Sequence, residues 1–159
     1  MTETARASSA GNDSSLWRII QGVELVDVRV TRWYSELRDF EVREIQEFDP
    51  VFSVDFRNDD ETLQFKWDFD ASINSKTGHP VADLGLGIVQ TFTVTDRDLR
   101  PLMTERLIHE FVEKTAVISI VPFVREAVQT MTVRLGLPPL TLGLVRAGKA
   151  VPQAYSVRP

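Results

Sequence analysis

The feature that most constrains the fold is a segment in the middle of the chain, Leu63–Ile73, in which apolar and polar residues alternate. The apolar positions are Leu63, Phe65, Trp67, Phe69, Ala71 and Ile73, and the polar positions between them are Gln64, Lys66, Asp68, Asp70 and Ser72. Because successive side chains of a strand point to opposite faces, this pattern predicts a strand with one aromatic face and one charged face. Such a sheet needs a second layer to cover its apolar face.

Three other segments have the same period of two and predict the remaining strands of a sheet. Val26–Thr31 predicts a first strand, Phe52–Arg57 a second and Ala82–Val94 a fourth. The acidic turn Asn58–Glu61, between the second and third segments, predicts a hairpin. Trp33–Phe48 fits neither a strand nor a helix period, and we expect a long connection there.

The fourth segment departs from simple alternation in two respects. Gln90 is a polar residue within its apolar row. Gly85 and Gly87 occupy its other face, and glycines inside a strand indicate a bulge or the close approach of another backbone.

Two segments towards the C-terminus predict helices that pack on one face. Apolar residues recur at three- and four-residue steps in Leu102–Lys114 and again in Val117–Leu135. Proline is tolerated only in the first turn of a helix, so Pro122 predicts that the second helix starts near it, with Ser119 as a candidate cap. Strands precede helices, and the predicted class is therefore α+β, a four-stranded antiparallel sheet with C-terminal helices.

Composition excludes several classes of protein. The 159 residues suffice for one domain, and the absence of cysteine excludes disulfides, thiolate metal sites and cysteine nucleophiles. The net charge is −5 and the basic residues are scattered, so we expect no nucleic-acid partner. The longest apolar run, Ala116–Val124, is far shorter than the roughly 18 residues that span a bilayer, so we expect no membrane insertion.

The two ends of the chain differ in composition from its centre. Residues 1–15 are rich in Ser, Thr, Ala and charge, and we predict a disordered tail there. We predict a single domain over residues 16–142 and a C-terminal tail over residues 143–159. The first residues lack the apolar centre of a signal peptide, so the expected location is the cytoplasm.

No catalytic motif is present, and we predict neither a catalytic residue nor a metal or cofactor. Dinucleotide and phosphate loops, a nucleophile elbow and a His-Glu-x-x-His helix are all missing. His109 lies one helical turn from both Glu105 and Glu113, a row that a metal or acid–base site could use. A solvated helix face explains the same row.

Apolar side chains are concentrated around the highly charged connection between the first two strands. They are Trp33, Tyr34, Leu37, Phe40, Phe48 and Phe52. Two interpretations remain open at this point. These side chains either fold back onto the core or form an exposed apolar groove of the kind that binds peptides.

The second predicted helix resembles a known family. Residues 122–126 read Pro-Phe-Val-Arg-Glu, and the matching residues that follow are Met131, Arg134, Pro138, Leu140 and Leu142. This stretch resembles the SecB chaperones, and residues 135–142 look still more like the SecB-like chaperones of toxin–antitoxin–chaperone modules. Residues 92–94, Phe-Thr-Val, match a further short pattern of the family.

The resemblance implies a function as well as a fold. SecB-like proteins hold unfolded polypeptides in long apolar grooves without ATP, and they assemble as homotetramers built from two dimers. Some pass precursor proteins to the SecA motor in protein export, and others protect an antitoxin. The family uses the loop that corresponds to the connection here as a groove wall, so the six apolar residues around it are the predicted client-binding residues.

The same resemblance assigns roles to the second helix and raises a question about the tail. In the family this helix lies at subunit contacts, which implies interface roles for Arg125, Glu126, Val128 and Met131. After Leu142 the export members continue into a short helix of Asn-Phe-Asp-Ala-Leu type, whereas this chain reads Gly-Leu-Val-Arg-Ala-Gly. The difference sets this chain apart from the members that hand precursors to SecA.

The competing hypothesis is an enzyme or a small-ligand carrier. In that case the sheet and helices would enclose an apolar pocket with His109 or an aspartate at its mouth. The two hypotheses differ in where the aromatic side chains point, into a closed pocket or into an open groove.

Overall fold

The structure of the protein, a computed structural model, describes residues 14–41, 45, 47–59, 61–142 and 157–158. Most of both predicted tails lies outside these residues, so the domain boundaries at residues 16 and 142 stay predictions. The first described element is a helix over residues 14–21, α1, which the sequence pattern did not reveal. Leu16 and Ile19 of α1 are buried in the core.

Four long strands form the centre of the molecule. They are β1 (Val23–Leu37), β2 (Glu47–Asn58), β3 (Thr62–Asn74) and β4 (Pro80–Val94). They pair antiparallel in the order β1-β4-β3-β2, and the helices that follow them confirm the predicted α+β class. A fifth strand of two residues, β5 (Val157–Arg158), pairs parallel with β2 and was not predicted.

The hairpin between β2 and β3 forms where the acidic turn predicted it. The carboxylate of Asp59 accepts hydrogen bonds from the backbone N–H groups of Glu61 and Thr62 and from the Thr62 hydroxyl. These bonds, led by the one from Glu61, lower the pKa of Asp59 from its ordinary value because they stabilise the ionised form. The turn therefore uses its acidic residue to close the hairpin.

Strand β1 is much longer than the predicted Val26–Thr31, and the predicted connection from Trp33 to Phe48 is wrong. The register against β4 shifts between Leu25 and Asp27 and again between Val30 and Arg32. Each shift changes which parity faces the core, so the period of two is lost although the backbone stays extended. The connection itself covers only residues 38–46.

Side chains on the helix-covered face of the sheet form rows that cross all four strands. One row consists of Trp33, Leu86, Phe69 and Phe52. A second row, closer to the end of β1, consists of Leu37, Ala82, Ile73 and Phe48. We call this the helix-side face and the opposite one the outer face. Directly opposed residues of antiparallel strands share a face, so the rows follow from the register.

The two predicted helices are one continuous helical segment, which we call the long helix. It consists of α2 (Glu105–Phe111), a π-helical turn (Val112–Ala116) and α3 (Val117–Arg134). A 3-10 helix, Arg97–Leu102, connects β4 to the long helix. Thr104 caps the start of the long helix, because its side chain accepts a hydrogen bond from the Leu107 N–H.

The apolar stripe of the long helix explains why two helices were predicted. Its buried positions recur at steps of three or four residues except at one point, where the step from Phe111 and Val112 to Ala116 and Val117 is five residues long. The π turn absorbs the extra residue, as the bond from the Val117 N–H to the Val112 carbonyl shows. Pro122 therefore lies inside the helix, and the predicted cap role of Ser119 is wrong, because its hydroxyl donates to the Ala116 carbonyl instead.

Candidate functional site

The outer face of the sheet is polar and is organised around the glycines of β4. Arg32 on β1 reaches across β4 to Asp70 on β3, with both carboxylate oxygens 2.9 Å from its Nη2. A Cβ on Gly85 would lie 3.1 Å from the Asp70 Oδ1, and one on Gly87 only 3.0 Å from the Arg32 Cβ. A backbone group approaches Gly87, since the Arg32 nitrogen would lie 3.3 Å from such a Cβ, whereas the groups that approach Gly85 are the side chains of Asp70 and Arg32.

The Arg32 pair ties the edge strand β1 to the middle of the sheet. The hydrogen bond to Asp70 is the main reason why the pKa of Arg32 is raised from its ordinary value, and Asp68 at 3.6 Å adds to it. Sequence reasoning missed Arg32 as a structural residue. The signal was the pair of glycines, which marks the path of a long side chain across β4.

A second polar group lies further along the same face. Arg38 Nε donates to Asp83 over 2.8 Å, and its Nη2 lies 3.1 Å from Glu36, to which the Tyr34 hydroxyl also donates. The bond to Glu36 raises the pKa of Tyr34. Next to this group is an open cleft of about 320 Å³, lined by Tyr34, Arg38, Asp49, Val51, Asp70, Ala71, Ser72, Asp83 and Leu84. Among its charged side chains, Arg38 and Asp83 pair with each other, and Asp70 pairs with Arg32.

The helix-side face is covered in its centre. Phe111 of α2 stacks on Phe65 at a centroid distance of 5.9 Å and meets Phe92 edge-on at 5.2 Å. Phe52 packs edge-on against Phe69 at 4.9 Å. The competing hypothesis places an apolar pocket in this region, where Phe111 packs directly on two aromatic side chains of the sheet.

The same face is uncovered along β1. Leu25, Val30 and Trp33 share the face of the core residues of β4, yet they are 40%, 49% and 45% exposed. The long helix packs on β4 and β3 and leaves the edge strand open. Within the described part of the chain, β1 pairs with β4 alone, so its other edge has free backbone donors and acceptors.

We call the end of the sheet where β1 passes into the connection the crossover end. Here Leu37 and Phe48 are half-buried against the core, at the two ends of one row. Beyond them Phe40, in the connection, is 80% exposed. These three side chains and Trp33 are therefore apolar groups that the rest of the described chain does not fully bury.

The structure separates the six predicted client-binding residues. Trp33, Leu37 and Phe48 lie on the helix-side face towards the crossover end, and Phe40 follows Leu37 in the connection. Tyr34 points to the outer face, where it lines the polar cleft. Phe52 shares a row with Trp33 but is buried against Phe69.

The four predicted interface residues also divide into two groups. Val128 and Met131 are fully buried in the core of the single chain, where they contact its other core residues, and their interface role stays a prediction. Arg125 is half-buried, and Glu126 is exposed. The apolar residues that α3 does expose are Ile118, Phe123 and Val133.

The row of Glu105, His109 and Glu113, in the described part of the chain, does not form a three-ligand metal cluster. Among the described residues, no group of three or more His, Asp or Glu side chains is placed to hold a metal ion. Glu110 instead lies 3.9 Å from both Arg106 and Lys114, one helical turn away on either side.

In the described part of the chain, no helix has the length and apolar character needed to cross a bilayer.

Comparisons with known proteins agree with this architecture. No protein-family model matches the sequence, and no curated protein sequence matches it. Among solved structures, the Mycobacterium tuberculosis SecB-like chaperone Rv1957, in complex with a ChAD peptide from the Rv1956 HigA1 antitoxin, superposes with a TM-score of 0.73. The match covers 84% of this chain and 97% of that one at 20% sequence identity.

The chain has the SecB-like fold. The resemblance that was noted over residues 122–142 is thereby confirmed at the level of the fold. A protein of unknown function from Streptococcus agalactiae also aligns, with a TM-score of 0.40 and 11% identity. The two register shifts interrupt the alternation of apolar and polar residues in β1. The sequence therefore did not reveal that this strand has an uncovered apolar face.

Proposed function

We propose that this protein is a SecB-like chaperone that holds unfolded polypeptides without ATP. The observation that carries the proposal is the exposure of Trp33 and Phe40, two large apolar side chains near the crossover end, where Leu37 and Phe48 are only half-buried. The SecB-like fold supports it, because a chaperone of that fold has been solved with a peptide bound.

The surface suits ligands of varied sequence. Aromatic side chains offer large areas with few rotatable bonds, and burial stabilises a contact by roughly 25 cal/mol for each Å². An exposed ring that buries on the order of 100 Å² therefore contributes about 2.5 kcal/mol without a sequence-specific hydrogen bond. Arg38, Asp39 and Glu41 flank Phe40 and keep this surface hydrated between clients.

The free edge of β1 offers a second kind of contact. An extended polypeptide, or a second copy of the chain, can pair with unpaired backbone groups of an edge strand. We propose that the protein assembles as a homotetramer, a dimer of dimers, through this edge and through the apolar residues that α3 exposes. Light scattering after size exclusion measures the mass, and a strictly monomeric mass at micromolar concentration would contradict the assembly.

Antitoxin protection is the client role that the available features favour over export. The chaperone with the similar fold was solved with an antitoxin peptide. After Leu142 the sequence departs from the pattern of the members that deliver precursors to SecA. We therefore propose an aggregation-prone antitoxin segment as a client, with precursor polypeptides as the alternative.

The proposal is tested by the aggregation of a client. A chemically denatured protein is diluted into buffer with increasing amounts of this protein, with and without ATP, and light scattering is followed. We expect scattering to fall to a stoichiometric end point that ATP does not change. Unchanged scattering at a several-fold excess of this protein would contradict the holdase function.

A further inference from the structure

A buried amide connects the sheet to the long helix at the π turn. Gln90 is completely buried in the otherwise apolar row of β4. Its Oε1 accepts a hydrogen bond of 3.0 Å from Trp67 Nε1. Its Nε2 donates to the Ser119 hydroxyl at 2.5 Å and to the Ala116 carbonyl at 3.2 Å.

The partners of this amide determine its orientation. The indole N–H of Trp67 is only a donor and the carbonyl of Ala116 is only an acceptor, so the oxygen must face Trp67 and the nitrogen must face the helix. Both N–H donors of the amide and one of the two lone pairs on its oxygen are then used. A buried amide without such partners would cost on the order of 1–3 kcal/mol.

The two partners on the helix lie at the end of the π turn and just beyond it. On the other side of the turn, Phe111 packs against Phe92, which is two residues from Gln90 on the same strand. Strand β4 therefore contacts the long helix both before and after the turn. Five residues of a regular α-helix rotate by about 500°, which would leave Ala116 about 140° away from the direction of Phe111.

We infer that Gln90 selects the position of the π turn and thereby fixes which side chains of the long helix face the sheet. The wider turn brings the Ala116 carbonyl and the Ser119 hydroxyl towards Gln90 while Phe111 stays against Phe92. An apolar residue at position 90 would not distinguish a π turn at Val112–Ala116 from one at another position along the helix. Gln90 is thus a positioning residue for the helix, independent of what the protein binds.

The inference is tested with Gln90→Leu and amide hydrogen exchange. The N–H of Val117 donates to the Val112 carbonyl across the π turn, whereas the N–H of Val124 lies within regular α3. We expect the protection of Val117 relative to Val124 to fall at least about tenfold in Gln90→Leu, because the turn loses its anchor. Gln64→Leu, at a strand glutamine of the outer face, is the control and should leave the ratio unchanged.

Two further variants keep the test decisive. Gln90→Leu combined with Trp67→Phe removes both partners of the Trp67 bond, so a loss of protection at Val117 cannot come from an unpaired indole. If either variant fails to fold, Ser119→Ala decides the test. It removes one acceptor of the Gln90 amide from a half-buried position. We expect the protection of Val117 relative to Val124 to fall approximately threefold. An unchanged ratio of Val117 to Val124 in the folded variants would overturn the inference.

Discussion

Trp33 and Phe52 lie at opposite ends of one row of side chains on the same face of the sheet, but their surroundings differ. Phe52 packs against Phe69 and is 9% exposed, whereas Trp33 stands on the edge strand and is 45% exposed. The face of a residue is decided by strand register, but its burial is decided by the neighbours that cover it. Covered residues such as Phe52 hold the fold together, whereas Trp33 on the edge strand stays exposed.

The largest expected effect comes from placing a charge under the helix. Met131→Asp buries a carboxylate among apolar side chains, which costs several kcal/mol, and we expect the folded state to be lost. Gln129→Asp, on the exposed side of the same helix, is the matched control. Circular dichroism and light scattering distinguish the outcomes, and a folded monomer of Met131→Asp would assign this residue to a subunit interface.

The next comparison uses the two ends of the row itself. We expect Phe52→Ala to lower the free energy of unfolding by about 3–5 kcal/mol, because it leaves a cavity beside Phe69. Trp33→Ala should lower it by less than about 1 kcal/mol, because much of the ring is already in water. Urea unfolding measures both changes, and equal losses would show that the two ends are equally covered.

A smaller effect is expected where β1 is tied to the sheet on its outer face. A Cβ at position 87 would lie 2.8 Å from the Thr31 hydroxyl oxygen and 3.3 Å from the Arg32 backbone nitrogen. We expect Gly87→Ala to destabilise the protein by about 1–3 kcal/mol, as overpacking does. Adding Thr31→Ala should restore part of this loss, and a double variant no more stable than Gly87→Ala would contradict the proposed clash.

Much of the fold could be predicted from the sequence where the period was unbroken. Phe65, Trp67 and Phe69 keep a period of two, and β3 and its hairpin followed from it. Strand β1 could not be predicted in full, because two register shifts reverse its parity. The long helix was divided in two for a similar reason, since its stripe contains one five-residue step.

The candidate site was harder to predict than the fold. The sequence grouped aromatic residues that are close along the chain, but neighbours in a strand point to opposite faces. Trp33 and Tyr34 were therefore assigned together although the sheet separates them. Burial of Val128 and Met131 could not be distinguished from a subunit contact, because an apolar stripe has the same pattern in both settings.

The central claim is that polypeptides bind to the helix-side surface at the crossover end, and one measurement tests it most directly. The affinity of a fluorescently labelled unfolded polypeptide is measured by anisotropy for Trp33→Ala/Phe40→Ala and for Tyr34→Ala. Tyr34 is the matched control, since it is adjacent to Trp33 and similarly exposed, at 42%, but lies on the outer face. We expect the double variant to bind at least about tenfold more weakly, a loss of about 1.4 kcal/mol, with oligomer mass and secondary structure intact. Tyr34→Ala should stay within about twofold of the unchanged protein. An unchanged affinity of the double variant, or an equal loss in Tyr34→Ala, would contradict the assignment of this surface.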